Sequence, residues 1–186
     1  MRIVMKKGLR LTAACIAMLF ILTMTGCGVN HKSPEGVVEA LIKEYVAGSE
    51  KKVKSCYVQQ DKEDDVLQKE ITATLKYFQV HEASEVNIKE CETLAEKEDY
   101  VYVYVIYNLV LKDKQEYPCI STYMVQKDGR KYYVLPPSMI TTDMSKEAAA
   151  DYAKFMTTDS YKNYTKEYDA FIMKNPGYEE LIAGKL

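Results

Sequence analysis

The sequence predicts an α+β fold, with N-terminal helices packed on a curved four-stranded antiparallel meander and a C-terminal helical extension. Three observations carry this. Apolar residues recur at helical spacing from Val37 to Phe78, the period shortens to two between Glu85 and Ile140, and helical spacing returns from Ser145 onward. A change of period from 3.6 to 2 marks a change from helix to strand. Helices segregated before and after a run of hairpins fit an α+β layering.

Each element has its own signals. Ser33 followed by Pro34 and Glu35 reads as an N-cap, a first-turn proline and an acid at the positive end of a helix. Val37, Val38, Leu41, Ile42 and Tyr45 then share one face, and Gly48 stops the helix. A short helix follows from Ser49 with Val53 and Cys56. After "QQDKEDD" comes a third, striped by Val66, Leu67, Ile71, Leu75 and Phe78. Four strands are expected near 85–94, 100–111, 116–127 and 131–135, the last pair joined at "KDGR" by a tight hairpin. Pro136 and Pro137 end the sheet, and two further helices are expected near 145–157 and 159–174.

The first ten residues hold Arg2, Lys6, Lys7 and Arg10 without an acid, and an apolar run then leads to Cys27. That is a signal-peptide layout. "MTGC", Met24 to Cys27, resembles the lipobox of bacterial lipoproteins, which implies a diacylglyceryl (palmitate-type) modification on Cys27 and cleavage before it. The expected organisation is a signal peptide over 1–26, a tether over 27–32, a domain over 33–140 and a helical extension over 141–186 packed on the same domain. Two acyl chains suffice for stable anchoring, so the expected location is the extracytoplasmic face of the cell membrane. An ordinary secretory signal or an uncleaved anchor helix are the alternatives.

Removing the leader leaves 21 basic residues against 27 acids, a net charge of −6. Phosphate recognition needs a basic patch, so a nucleic-acid partner is not expected. Three cysteines, Cys56, Cys91 and Cys119, remain. Counting residues across "AEKED" and "KDKQ" sets Cys91 opposite Tyr104 and Cys119 opposite Asn108, beyond disulfide range. Small buried thiols are expected, a bridge through Cys56 being the exception to watch.

The stretch "YVYVYVIYNLV", Tyr100 to Val110, has no polar face. One side carries Tyr100, Tyr102, Tyr104, Ile106 and Asn108; the other carries Val101, Val103, Val105, Tyr107 and Leu109. The same counting adds Ile120, Thr122, Met124, Tyr133 and Leu135 to the valine face, which should take the leading helices. It adds Tyr117, Ser121, Tyr123, Val125, Tyr132 and Val134 to the tyrosine face. Leaving several tyrosines in water would forfeit roughly 1.5–3 kcal/mol each. Their cover is the tyrosine-rich tail, a ligand or a partner surface; for a ligand the candidate contacts are Tyr100, Tyr102, Tyr104, Asn108 and Tyr123.

"SPEGVVEALIKEYVAGSEKKVKSCY", Ser33 to Tyr57, resembles the opening of NTF2-like (SnoaL-like, cystatin-like α+β) domains of bacterial lipoproteins. The resemblance spans roughly residues 33–140 and implies a cone-shaped pocket between sheet and helices. Such domains include isomerases, dehydratases, transport adaptors and non-catalytic modules of cell-wall enzymes, so it fixes no activity.

Catalytic chemistry has few candidates. His81 with adjacent Glu82 is the one acid/base pair at hand for an isomerase or dehydratase. His31 reads as a solvated tether residue. "DKEDD" starts like a calcium loop, but Val66 and Thr72 stand where glycine and glutamate belong. No zinc spacing, nucleophile elbow or phosphate loop is present, and no cofactor or metal is expected. The expectation is a membrane-anchored, non-catalytic binding module for an envelope protein, a wall component or a small apolar ligand. A small-molecule enzyme, or an accessory subunit of a cell-wall enzyme or transporter, is the alternative.

Overall fold

The computed structural model describes residues 28–59 and 64–186; the leader and Cys27 lie outside them. The elements are α1 (Pro34–Val46), α2 (Glu50–Cys56), α3 (Asp65–Val80), β1 (Glu85–Glu96), β2 (Val101–Val110), β3 (Glu116–Asp128), β4 (Lys131–Val134), a 3-10 turn (Pro137–Met139), α4 (Thr142–Phe155), α5 (Asp159–Lys174) and α6 (Tyr178–Ala183). The fold is α+β, with one antiparallel sheet in the order β1-β2-β3-β4. Caps fix the helix starts: Ser33 Oγ accepts from Gly36 N, Asp64 from Val66 N and Leu67 N, and Thr141 from Met144 N. Helix α6 falls in the closing segment, which the periodicity left unassigned; Gly177 permits it by taking φ +82.

The two faces of β2 part as the sequence predicts. Val103, Val105, Tyr107 and Leu109 join the core built on α1, α2 and α3 with Leu41, Ile42, Val53 and Ile71. On the other face Tyr100 and Tyr102 pack with Met124, Leu135 and Ala148, while Tyr104 and Ile106 pack with Phe155 and Tyr161. The sheet is therefore sandwiched between leading and trailing helices.

The counted register of β3 and β4 is corrected by one residue. Val103 lies opposite Tyr123, Tyr104 opposite Thr122 and Tyr107 opposite Cys119. The cause is the β2–β3 connection. Leu111 N donates to Gln115 O at 2.8 Å, leaving a three-residue loop whose last member, Lys114, takes φ +68. Counting across "KDKQ" makes the turn four residues long, and a slip of one residue exchanges the faces of the following strand. Tyr117, Ser121, Tyr123 and Val125 thus join the valine face, and Ile120, Thr122 and Met124 the tyrosine face. Bulges in β1 likewise set Cys91 opposite Val105.

Among the described residues Cys56, Cys91 and Cys119 are all free thiols. Burial pushes the Cys56 and Cys91 thiols up to about 12. His31 is held rather than solvated: its Nδ1 lies 2.7 Å from Tyr132 O, and its own carbonyl accepts from Tyr132 N at 3.0 Å. The tether is pinned to the edge of β4.

Candidate binding cleft at the open edge of β3

Strand β3 has 13 residues and β4 has four. The difference leaves part of β3 without a neighbour. β4 pairs with Val125 to Asp128, and α5 runs against β3 nearby. Between these covers, burial along β3 falls from buried to half-buried over Ile120, Ser121, Thr122 and Tyr123.

The backbone direction there follows from alternation. Ser84 N donates to Val110 O, so the even residues of β2 point toward β1 and the odd ones toward β3. Leu135 N donates to Met124 O, so the even residues of β3 point away from β2. Pro118, Ile120 and Thr122 therefore face the uncovered side. A proline there loses no ladder bond. Ile120 and Thr122 present N–H and C=O groups that no described strand pairs.

A cleft of about 640 Å³ opens over this edge. Its floor is Ile120 to Tyr123. One wall is α3, with Glu70, Thr74, Tyr77 and Phe78; the other is α4, whose Ser145, Ala148 and Ala149 are small enough to leave the space open. Tyr102 and Tyr107 reach it from opposite faces of the sheet. Tyr102 OH donates to Thr122 Oγ1 at 3.0 Å, and the Tyr107 and Ser121 hydroxyls lie 3.3 Å apart. Burial raises the phenol pKa of Tyr77, Tyr107 and Tyr123. These hydroxyls stay protonated and act as hydrogen-bonding groups. Most lining side chains carry a hydroxyl, and Glu70 alone carries a charge.

The structure divides the ligand candidates read from sequence. Tyr102 and Tyr123 both reach the cleft, but from opposite faces. Tyr100 lies under α4, its hydroxyl toward Met144 O and Glu147. Tyr104 packs its ring 4.4 Å from Phe155 and donates to Glu90 and Glu92. Asn108 is buried and donates to Glu116 Oε2 at 2.6 Å, a partner from β3 rather than from the tail. The space where a cone-shaped pocket was implied holds the stacked rings of Tyr45, Phe78 and Tyr107. Cleft residues missed by sequence reasoning are Glu70, Tyr77, Tyr107, Ser121, Thr122 and Tyr152. The signal for them was the shortness of "KYYV" before two prolines.

His81 and Glu82 do not converge. Glu82 takes φ +53 and points to solvent, where Lys112 and Lys185 pair with it. His81 is instead buried among Tyr77, Tyr117 and Tyr178, its Nδ1 2.8 Å from Tyr178 OH and its Nε2 without a hydrogen-bond partner. Burial pushes its pKa down to about 4, against the pull of Glu179 and with the push of Lys185. Free histidine titrates near 6.5, so between pH 6.5 and 4 the unfolded chain binds the extra proton. Stability from this residue is complete above about pH 6.5 and is lost as pH falls toward 4, by about 3 kcal/mol at 1.36 kcal/mol per unit. Urea melts at pH 7.0 and 5.0 should show about 2 kcal/mol of this loss, and His81→Leu should flatten it; an unchanged slope in the variant would remove His81 as the cause.

Among the described residues no group of three His, Cys, Asp or Glu side chains is placed to hold a metal ion, and no helix is long and apolar enough to cross a membrane. No protein-family model and no curated protein matches the chain. Among solved structures, the chain is similar to a Campylobacter jejuni protein provisionally named an NTF2-like transpeptidase, at 18% identity and a TM-score of 0.39, covering 55% of this chain and 97% of that one. It is also similar to an NTF2-like protein of unknown function from Shewanella oneidensis MR-1, at 12% identity and a TM-score of 0.35, covering 53% and 89%. Similarities at this level assign neither family nor activity.

Proposed function

We propose that this protein is a lipid-anchored, extracytoplasmic binding module without catalytic activity, held to the membrane through acylated Cys27, and that its binding site is the cleft over β3. The observation that carries the binding role is the cleft itself: open, hydroxyl-rich and floored by unpaired strand backbone. Its size falls within the roughly 300–1,000 Å³ of ligand sites. Glu70 is its one charged residue, and neither a histidine nor a second carboxylate lines it. The leader pattern ending at Cys27 supports the anchor.

Two measurements test this. Cys27→Ala should abolish incorporation of an alkyne fatty acid and release the protein from the membrane fraction; retention of both would refute the anchor. A benzophenone amino acid at Ala149, in the cleft wall, should give a defined photo-adduct in intact envelopes, whereas one at Ala153 should not. Equal adduct patterns at both positions would refute the cleft as the site.

A further inference from the structure

We infer that the cleft takes an extended peptide, which adds as a short strand to the open edge of β3, with a basic side chain directed at Glu70. This rests on the binding role proposed above and names its ligand class. Three features point to a peptide backbone. Ile120 and Thr122 each offer an N–H and a C=O on the uncovered side, alternating at the spacing that another strand supplies. Pro118 bounds the free edge at one end and the Leu135–Met124 hydrogen bond bounds it at the other. The accessible run is therefore three to five residues long. Helices α3 and α4 stand on either side, so the edge admits a single segment and excludes a second sheet. That arrangement protects the chain from edge-to-edge association while leaving the edge usable.

The side chains of such a segment would alternate between the two walls. One set would lie by Tyr102, Ala148 and Tyr152, the other by Phe78, Tyr107 and Tyr123. Glu70 stands on the second wall, exposed and without an ion pair to any described residue. It favours lysine or arginine in that set. A small apolar ligand would desolvate the Ile120 and Thr122 groups without pairing them, which is unfavourable. A glycan would need an open ring face, yet Tyr102 and Tyr107 are 7% and 2% exposed and turn their hydroxyls to β3.

The test uses the full chain in detergent micelles and a pool of blocked, randomised pentapeptides. Retained peptides should be enriched about two- to fivefold in Lys or Arg at one position. N-methylation of alternate backbone amides should reduce retention at least tenfold, and bound peptide should slow hydrogen exchange at Ile120 and Thr122. Glu70→Lys, at an exposed position, should invert the preference toward Asp and Glu. Thr122→Pro should abolish retention while circular dichroism stays unchanged, because the lost N–H faces outward. Retention indifferent to N-methylation, or no enrichment at all, overturns the inference. Binding of chitotetraose with shifts in the cleft resonances, and no peptide retained, overturns the peptide and leaves the binding module standing. No probe perturbing the cleft, together with equal photo-adducts at Ala149 and Ala153, overturns both.

Discussion

Truncation after Ile140 is expected to abolish the native state. The removed segment carries Ala148, Tyr152, Phe155, Tyr161, Phe171 and Tyr178, which cover Tyr100, Tyr102, Tyr104 and Ile106 on one face and Tyr117 beyond the end of β4. Each large side chain returned to water costs roughly 1.5–3 kcal/mol, and four of these, about 6–12 kcal/mol, are comparable with a typical domain's whole stability of about 5–15 kcal/mol. The cut also removes the Lys97–Asp151 ion pair, at 2.7 Å, that ties α4 to the β1–β2 turn. Circular dichroism and dye binding should report a non-cooperative, dye-binding species. Phe155→Ala, which empties the site beside Tyr104, should give a graded version costing about 3–5 kcal/mol in a urea melt. A truncated chain that melts cooperatively and binds no dye would show that the tail is not structural cover.

Val105→Asp tests the opposite face. Val105 has no exposed surface and sits in the core formed with α1, α2 and α3. Full burial raises a carboxyl pKa by up to about 3–5 units, which at 1.36 kcal/mol per unit is about 4–7 kcal/mol. The variant should be unfolded or barely stable at pH 7 and should gain stability relative to wild type as the pH falls and the carboxyl protonates. Thr72→Asp, exposed on α3, should change stability by about 0.5 kcal/mol or less. A soluble, cooperatively melting Val105→Asp protein would place that face in water and contradict the sandwich.

Much of the fold was legible because its signals are local. The period changes, the Ser33 start, the Gly48 stop and the two-sided apolarity of β2 each depend on a few neighbouring residues. The faces of β3 were not legible, because Lys114 takes a left-handed conformation for which lysine carries no signal. One residue fewer in that loop moved Tyr123 away from Tyr102. His81 and Glu82 looked like a pair because they are adjacent in sequence. The backbone reverses at Glu82, and the packing of Tyr178 from α6, nearly a hundred residues later, decides where the imidazole lies. The cleft depends on lengths rather than on any motif: a four-residue β4 cannot cover a 13-residue β3.

Amide hydrogen exchange at four consecutive residues probes the open edge most directly. With the edge free, Ile120 and Thr122 should exchange near the rate of an unstructured peptide, while Ser121 and Tyr123, directed at β2, should be protected by the ladder. Equal protection at all four, or fast exchange at Ser121 and Tyr123 instead, would mean that the edge is covered or that its register is wrong.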